Sequence, residues 1–208
     1  MIIEVFPSGP LETNAFLLGC SQTKQGAVID APFECTDFIL DAAKRQGIAI
    51  KMLLFTHSHW DHIAEAHLLQ KATQAPVYIH KEDAENLQKP GHDRVPSFFP
   101  ILGAQIDHFL KDGEILKLGQ LEIAVIHTPG HTPGGCCFYL EKQNVLFSGD
   151  TLFKGTIGRL DLPTGRKNLM GNSLKRLSQL PRQTKVYPGH GEETTLENEK
   201  WLSERLQF

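Results

Sequence analysis

Between Ile48 and Phe55 the chain runs through an almost unbroken apolar stretch and passes directly into Thr56-His57-Ser58-His59-Trp60-Asp61-His62. An apolar run of that length suits a strand buried on both faces. On extended backbone His57 and His59 project to the same side, so two imidazoles reach one point in space. A turn after His59 lets Asp61 and His62 face the same cavity from a second direction. The fold therefore has to bury this strand and still gather four ligand-type side chains at its end.

Three further polar residues stand where strands are expected to end, each directly after a glycine: Pro129-Gly130-His131, Ser148-Gly149-Asp150 and Pro188-Gly189-His190. Glycine allows the tight turn and close backbone approach that bring a side chain into a crowded centre. Neutral imidazole and carboxylate are the usual ligands of zinc, and a carboxylate can join two ions with its two oxygens, which makes Asp150 the candidate bridge. Taken singly, each residue has a structural explanation. Together, His57, His59, Asp61, His62, His131, Asp150 and His190 read as a metal site, with one ion on a subset of them as the competing arrangement. The remaining histidines, His67, His80, His92, His108 and His127, show no partner pattern and read as surface or satisfied core residues.

β-Branched runs bounded by turn residues place strands at Ile2 to Phe6, Asn14 to Leu18 and Gly26 to Ile29. Apolar spacing predicts a helix over Thr36 to Gln46, stopped by Gly47. After the histidine cluster come a helix over Ile63 to Thr73, a short strand at Val77 to His80 and a helix over Lys81 to Gln88. Pro90 to Gly103 has no period and reads as an irregular loop, either a lid or a solvated connector. The second half has strands at Leu121 to Ile126, Gly135 to Leu140 and Asn144 to Phe147. A helix is expected over Lys167 to Leu180 with Leu169, Leu174 and Leu177 inward, then a strand at Val186 and Tyr187 and a final helix over Thr195 to Leu206. Each half runs from strands to helix, which implies two sheets packed together with helices outside.

With 208 residues and 40% hydrophobic content, one domain over residues 1–208 is the expectation. The 21 basic residues against 24 acidic ones give no positive field that would draw nucleic acid. Met1 to Phe6 lacks the charged head and apolar stretch of a secretory signal. No apolar run approaches the roughly 18 to 20 residues that span a bilayer. Cys20, Cys35, Cys136 and Cys137 lack metal-type pair spacing and read as reduced core thiols, so a cytoplasmic protein without a membrane partner is expected.

The segment His57 to His62 resembles the H-x-H-x-D-H signature of the metallo-β-lactamase superfamily, and His131, Asp150 and His190 match its later ligand positions in order. The resemblance implies an α/β fold, a four-layer αββα sandwich of two mixed sheets flanked by helices, across essentially the whole chain. It also implies that His57, His59 and His131 hold a first metal, that Asp61, His62 and His190 hold a second, and that Asp150 touches both. Two divalent ions are expected, zinc first, with iron or manganese as alternatives. Gly149-Asp150-Thr151-Leu152-Phe153, Gly158-Arg159-Leu160-Asp161 and Tyr187-Pro188-Gly189-His190-Gly191 are similar to the glyoxalase II branch, the hydroxyacylglutathione hydrolases. That branch carries an additional C-terminal helical region that grips glutathione, whereas the sequence here ends about 18 residues after His190, counting 190 to 208.

The implied reaction is cleavage of the thioester of an S-(2-hydroxyacyl)glutathione such as lactoylglutathione, with Asp61 and Asp150 in the catalytic centre. Water held between two zinc ions loses its proton near neutral pH and attacks the carbonyl, a metal stabilises the oxyanion, and the thiolate leaves without a general acid. Arg159 is the candidate for binding a glutathione carboxylate, since its planar fork suits one. Lys154, Arg166 and Lys167 read as solvated charges. A lactonase or small-ester hydrolase and a mono-iron persulfide dioxygenase fit the same pattern. A β-lactamase, a nuclease and a non-catalytic binding protein fit less well.

Overall fold

In the computed structural model, which describes residues 1–204, alternating side chains dictate the layering. Strand β1 (Ile2–Ser8) pairs antiparallel with β2 (Thr13–Gly19), and β2 with β3 (Gln25–Ile29). Every residue of β2 is buried. Ala15 and Leu17 join one hydrophobic cluster, while Phe16 and Leu18 join another on the opposite face. A strand buried on both faces has to lie between two layers.

The outer of those layers is helical. Helix α1 (Thr36–Gln46) packs Ile39, Ala42 and Ala43 on the first sheet and ends where Gly47 adopts φ 65° and its N–H bonds back to the last turn, a left-handed terminus that suits glycine. Strand β4 (Ala49–Leu54) follows, parallel to β3. Only its last residues are buried on both sides: Leu53 faces the helices, Leu54 faces the other sheet, and Ala49 and Lys51 are exposed. The apolar run is thus a buried strand only toward the histidines.

The helix expected over Ile63 to Thr73 is two pieces, α2 (Trp60–Ile63) and α3 (Ala66–Thr73), broken at Glu65, whose carboxylate accepts from the N–H groups of Glu34 and Thr36. Strand β5 (Val77–His80) continues the sheet, and a 3-10 turn at Lys81–Asp83 leads into α4 (Ala84–Gln88). The parallel edge strand is β6 (His108–Leu110), too short to register in the sequence pattern.

The second sheet is β7 (Ile115–Leu118), β8 (Leu121–His127), β9 (Cys136–Leu140), β10 (Val145–Gly149), β11 (Lys185–Pro188) and β12 (Thr194–Thr195), hydrogen-bonded to one another in that order. All its pairings are antiparallel except β10 with β11. Helix α5 (Lys167–Leu177) covers its outer face with Met170, Leu174 and Leu177. Leu169, expected inward, is only half-buried, because the helical phase puts Met170 on the sheet instead.

The expected helix over Thr195 to Leu206 is also corrected. Thr194 and Thr195 pair with β11, and Leu196 and Glu197 bond to the carbonyls of Thr184 and Arg182. Helix begins only at α6 (Trp201–Glu204), and the remainder of the expectation, through Leu206, lies outside the described residues. The four layers are helix, sheet, sheet, helix, the αββα sandwich, with the two mixed sheets meeting through Phe16, Leu54, Phe138 and Phe147. Among the described residues, no helix is long and apolar enough to cross a membrane.

Phe147 is fully buried and meets the Phe16 ring edge-on at 5.0 Å between the sheets. Phe147→Ala should cost about 3–5 kcal/mol of stability, whereas Phe38→Ala, at a side chain 61% exposed on α1, should stay within about 0.5 kcal/mol. Urea unfolding of both variants checks this, and equal losses would contradict the layering.

Candidate metal centre

The ends of β4, β10 and β11, with the loop after β8, meet at one end of the sandwich and deliver all seven expected ligand residues there. Backbone bonds between the sheets fix the junction: Asn14 N–H donates to the carbonyl of Gly189 at 2.8 Å, and Cys136 N–H to that of Thr56 at 2.8 Å. Gly149 turns the chain at φ 49°, and a Cβ at Gly189 would collide with Asp150 Oδ1 and stand 2.7 Å from His62 Cε1. Glycine at these two positions is what allows the close approach.

Three groups of side chains bring their ligand atoms within 4.8 Å of one another: His57, His59 and His131; Asp61, His62 and His190; and His57, His62 and Asp150. The last group draws on both of the others, which places Asp150 between them. Its Oδ1 lies 3.3 Å from His62 Nε2 and its Oδ2 3.3 Å from His131 Nε2. His190 Nε2 lies 3.2 Å from Asp61 Oδ2.

The hydrogen bonds behind each ring decide which nitrogen faces inward. His131 Nδ1 donates to the Arg159 carbonyl at 2.8 Å and His190 Nδ1 to that of Leu11 at 3.1 Å, so each turns Nε2 to the hollow. Thr164 donates its hydroxyl hydrogen to the carbonyl of His131, so its oxygen accepts from His59 Nε2 at 2.9 Å and Nδ1 points inward. Thr56 donates to Asp30 at 2.7 Å, so its oxygen accepts from His57 Nδ1 at 3.0 Å. His62 Nδ1 donates to Asp30 Oδ2 at 2.8 Å.

A cation fits what results. His59 Nδ1 and His131 Nε2 face each other at 2.8 Å as two lone pairs. His57 Nε2 and Asp150 Oδ1 are buried without a hydrogen-bond partner. Buried polar atoms are ordinarily satisfied, and a divalent ion among these donors would satisfy them all.

The electrostatics agree. Burial, followed by the neighbouring imidazoles, pushes His57 well below its usual range, and burial with His131 brings His59 down to about 3. Both therefore keep bare nitrogens at neutral pH. Burial would raise the two carboxyls, but His62 and His190 hold Asp61 below the ordinary range, and His62 and His131 bring Asp150 to about 2. Burial would lower His62 and His190, yet Asp61, Asp150 and Asp30 raise the former and Asp61 and Asp150 the latter.

Asp30, Asp83, Thr13 and Thr164 were not singled out in the sequence. Asp30 sits directly after β3 at φ 58° and carries both Thr56 and His62. Asp83 accepts from Ser58 N–H at 3.0 Å and from Gly134 N–H at 2.6 Å, locking the motif to the loop that carries His131. Thr13 donates to Asp61 Oδ2 at 2.8 Å. Only Asp30 carries a sequence signal, a polar residue at a strand's carboxyl end; Thr13 opens β2, Asp83 lies in the 3-10 turn and Thr164 in the loop before α5. Arg159 lies differently from expectation: its guanidinium is exposed and clamps Asp161 through two bonds of 2.7 and 2.8 Å, and the part of it that touches the cluster is its carbonyl.

Residues 8–190 match the family model described as the metallo-beta-lactamase superfamily. The chain belongs to that superfamily. It is 31% identical to a probable metallo-hydrolase, YqgX, of Bacillus subtilis over 93% of this chain and 92% of that protein. It is 32% identical to Glyoxylase B2 of Dictyostelium discoideum over 90% of this chain and 69% of that protein. Among solved structures, BLEG-1 B3 metallo-beta-lactamase superposes with a TM-score of 0.87 at 34% identity, covering 95% of this chain and 96% of that one. TTHA1623 in a di-iron-bound form superposes with 0.80 at 33% identity, covering 96% of each.

Asp30→Asn keeps the shape but weakens the grip on His62 and Thr56, so metal affinity should fall ten- to a hundredfold. Competition with a chelating dye reads this, and an unchanged affinity would remove Asp30 from the centre. Because His62 and His190 are raised above 6.5 and must be bare to bind metal, loading should release protons and affinity should climb as pH rises past that value. Zinc calorimetry in buffers of different ionisation heat measures the release; a buffer-independent heat would contradict it.

Proposed function

We propose that this metallo-hydrolase cleaves the thioester of an acylglutathione, lactoylglutathione being the type, with two divalent ions, zinc first and iron or manganese as alternatives. His57, His59 and His131 would hold one, Asp61, His62 and His190 the other, and Asp150 both. The observation that carries this reading is the position of Asp150, whose two oxygens approach imidazoles of both groups. When bound, such ions supply a lowered water pKa and a Lewis acid for a carbonyl oxygen.

The chain's own residues do the rest. The rings are fixed from behind by Asp30, Thr56, Thr164 and two backbone carbonyls, so the inward donors need not reorganise. Asp61 and Asp150 are held as carboxylates and have no proton to give a leaving group. A thiol of pKa about 8.5 departs as thiolate and needs none, which favours a thioester over an amide. The Dictyostelium relative named Glyoxylase B2 points the same way.

Arg159 is the group we assign to a glutathione carboxylate. Its pair with Asp161 is exposed, and an exposed ion pair opens at little cost, so the fork can exchange one carboxylate for another. The substrate is a small molecule, with no role for nucleic acid or membrane. Four buried, free cysteines support a cytoplasmic setting.

Zinc-loaded protein should hold two metals per chain and turn over lactoylglutathione faster than a simple lactone or a phosphodiester. Brisk lactone cleavage without thioester turnover would replace the thioesterase reading with a lactonase, and one iron per chain with oxygen uptake would replace it with the oxygenase. Arg159→Ala should raise KM for the thioester several-fold with metal content unchanged, and an unmoved KM would release Arg159 from the site.

A further inference from the structure

Apolar side chains stand beside two of the segments that carry the metal ligands, and the aromatic ones touch one another. Trp60, between His59 and Asp61 in the chain, is buried, and the rings of Phe98 and Phe99 meet it edge-on at 5.2 and 5.6 Å. Phe99 packs on Phe33 at 4.4 Å. Phe33 in turn abuts Gly9, where an added Cβ would stand 3.3 Å from Phe33 Cβ. Gly9 begins the turn that carries Leu11, whose carbonyl accepts from His190 Nδ1.

This rim is tied to the ligands. Asn86 donates to the Ser58 carbonyl within the metal motif at 2.5 Å, and its side-chain oxygen accepts from the N–H groups of Gly91 and Asp93 at 3.0 and 3.1 Å. One buried amide thus sets the base of the Phe98 loop against the metal-binding segment. On the other side, Thr13 donates to Asp61 from the end of the Leu11 turn. Even so, Phe98 is 71% exposed, Leu11 45% and Phe33 36%. Contacting rings tied to the segments that carry the ligands, and left partly exposed, read as a binding surface rather than scatter.

We propose that Phe33, Trp60, Phe98 and Phe99, with Leu11 opposite, seat the apolar chain of an acyl substrate whose carbonyl lies at the metals. A hydroxyacyl group of three carbons has too little apolar surface to use such a rim, so the preferred acyl group is longer. This rests on the centre being an acyl hydrolase. It narrows the substrate class to esters or thioesters of straight apolar acids, with lactoyl as a short member that is accepted less well.

Straight-chain carboxylates from acetate to octanoate are the products of any such hydrolysis, whatever the leaving group, and serve as probes of zinc-loaded protein. Binding is read by calorimetry and by the fluorescence of Trp60 in a Trp201→Phe background, which leaves one tryptophan of two. Kd should fall by about tenfold or more from acetate to octanoate, as partial burial of the added methylenes requires. Phe98→Ala, at an exposed ring, should remove most of that fall and leave acetate binding unchanged. Equal Kd for acetate and octanoate, or a Phe98→Ala variant that keeps the full gain or weakens both alike, would overturn the proposal. Turnover of acetyl-, lactoyl- and octanoylglutathione on the same preparations separates the two claims. Chain-length-dependent binding without thioester cleavage leaves the rim standing and removes the thioesterase, and cleavage without chain-length dependence does the reverse.

Discussion

Imidazole nitrogens stripped of protons repel one another when they are driven together out of water, and His59 and His131 are held with such nitrogens 2.8 Å apart. The arrangement persists because each ring is anchored from behind, and because a positive charge placed between the rings turns the repulsion into attraction. Asp30 is the deepest of the anchors. It is almost fully buried and accepts from the Thr56 backbone, the Thr56 hydroxyl and His62, so a single carboxylate sets the orientation of His57 and His62 together.

That concentration of polar groups needs a rigid frame, and the sandwich supplies it. The sheets meet through large rings and branched chains, among them Phe16, Phe138 and Phe147, and the outer faces are closed by helices. Strands buried on both faces cannot slide without exposing one face or the other, so their register is fixed. The turn at each strand's end is then delivered to a fixed place, which is how residues as far apart as Asp30 and His190 come to share one hollow.

The centre and its surroundings divide the chemistry. In the proposed reading the metal-binding side chains carry the hydrolysis and leave the acyl group and leaving group open. We assign that choice to walls built from other segments: the Leu11 turn, the Phe98 loop and the loop bearing Arg159. The same Asn86 side chain that steadies the metal motif at Ser58 also holds the foot of the Phe98 loop, so the site and its wall share a support. Variation in such loops changes substrate without disturbing the metals, consistent with a superfamily whose relatives carry names as different as Glyoxylase B2 and B3 metallo-beta-lactamase.

The sequence by itself determined the layered fold, the strands on either side of the histidine cluster and the seven side chains that meet, because apolar periodicity, glycine before a polar residue and ligand-type residues two apart just beyond a strand are all local patterns. It did not reveal β6, three residues long and without alternation, nor the end of the chain, where the charged run after Thr195 has helical composition but is drawn off by the carbonyls of Thr184 and Arg182. It misplaced the inner face of α5 by one residue at Leu169 and Met170, since helical phase depends on where the first turn docks. Only the tertiary structure decided that Asp30, Asp83 and Thr164 orient the rings, that the Arg159 fork lies on Asp161, and that Phe33 and Phe99 touch. These are contacts between segments distant along the chain, and no local pattern records which hydrogen-bond partner or which ring a folded chain will bring opposite.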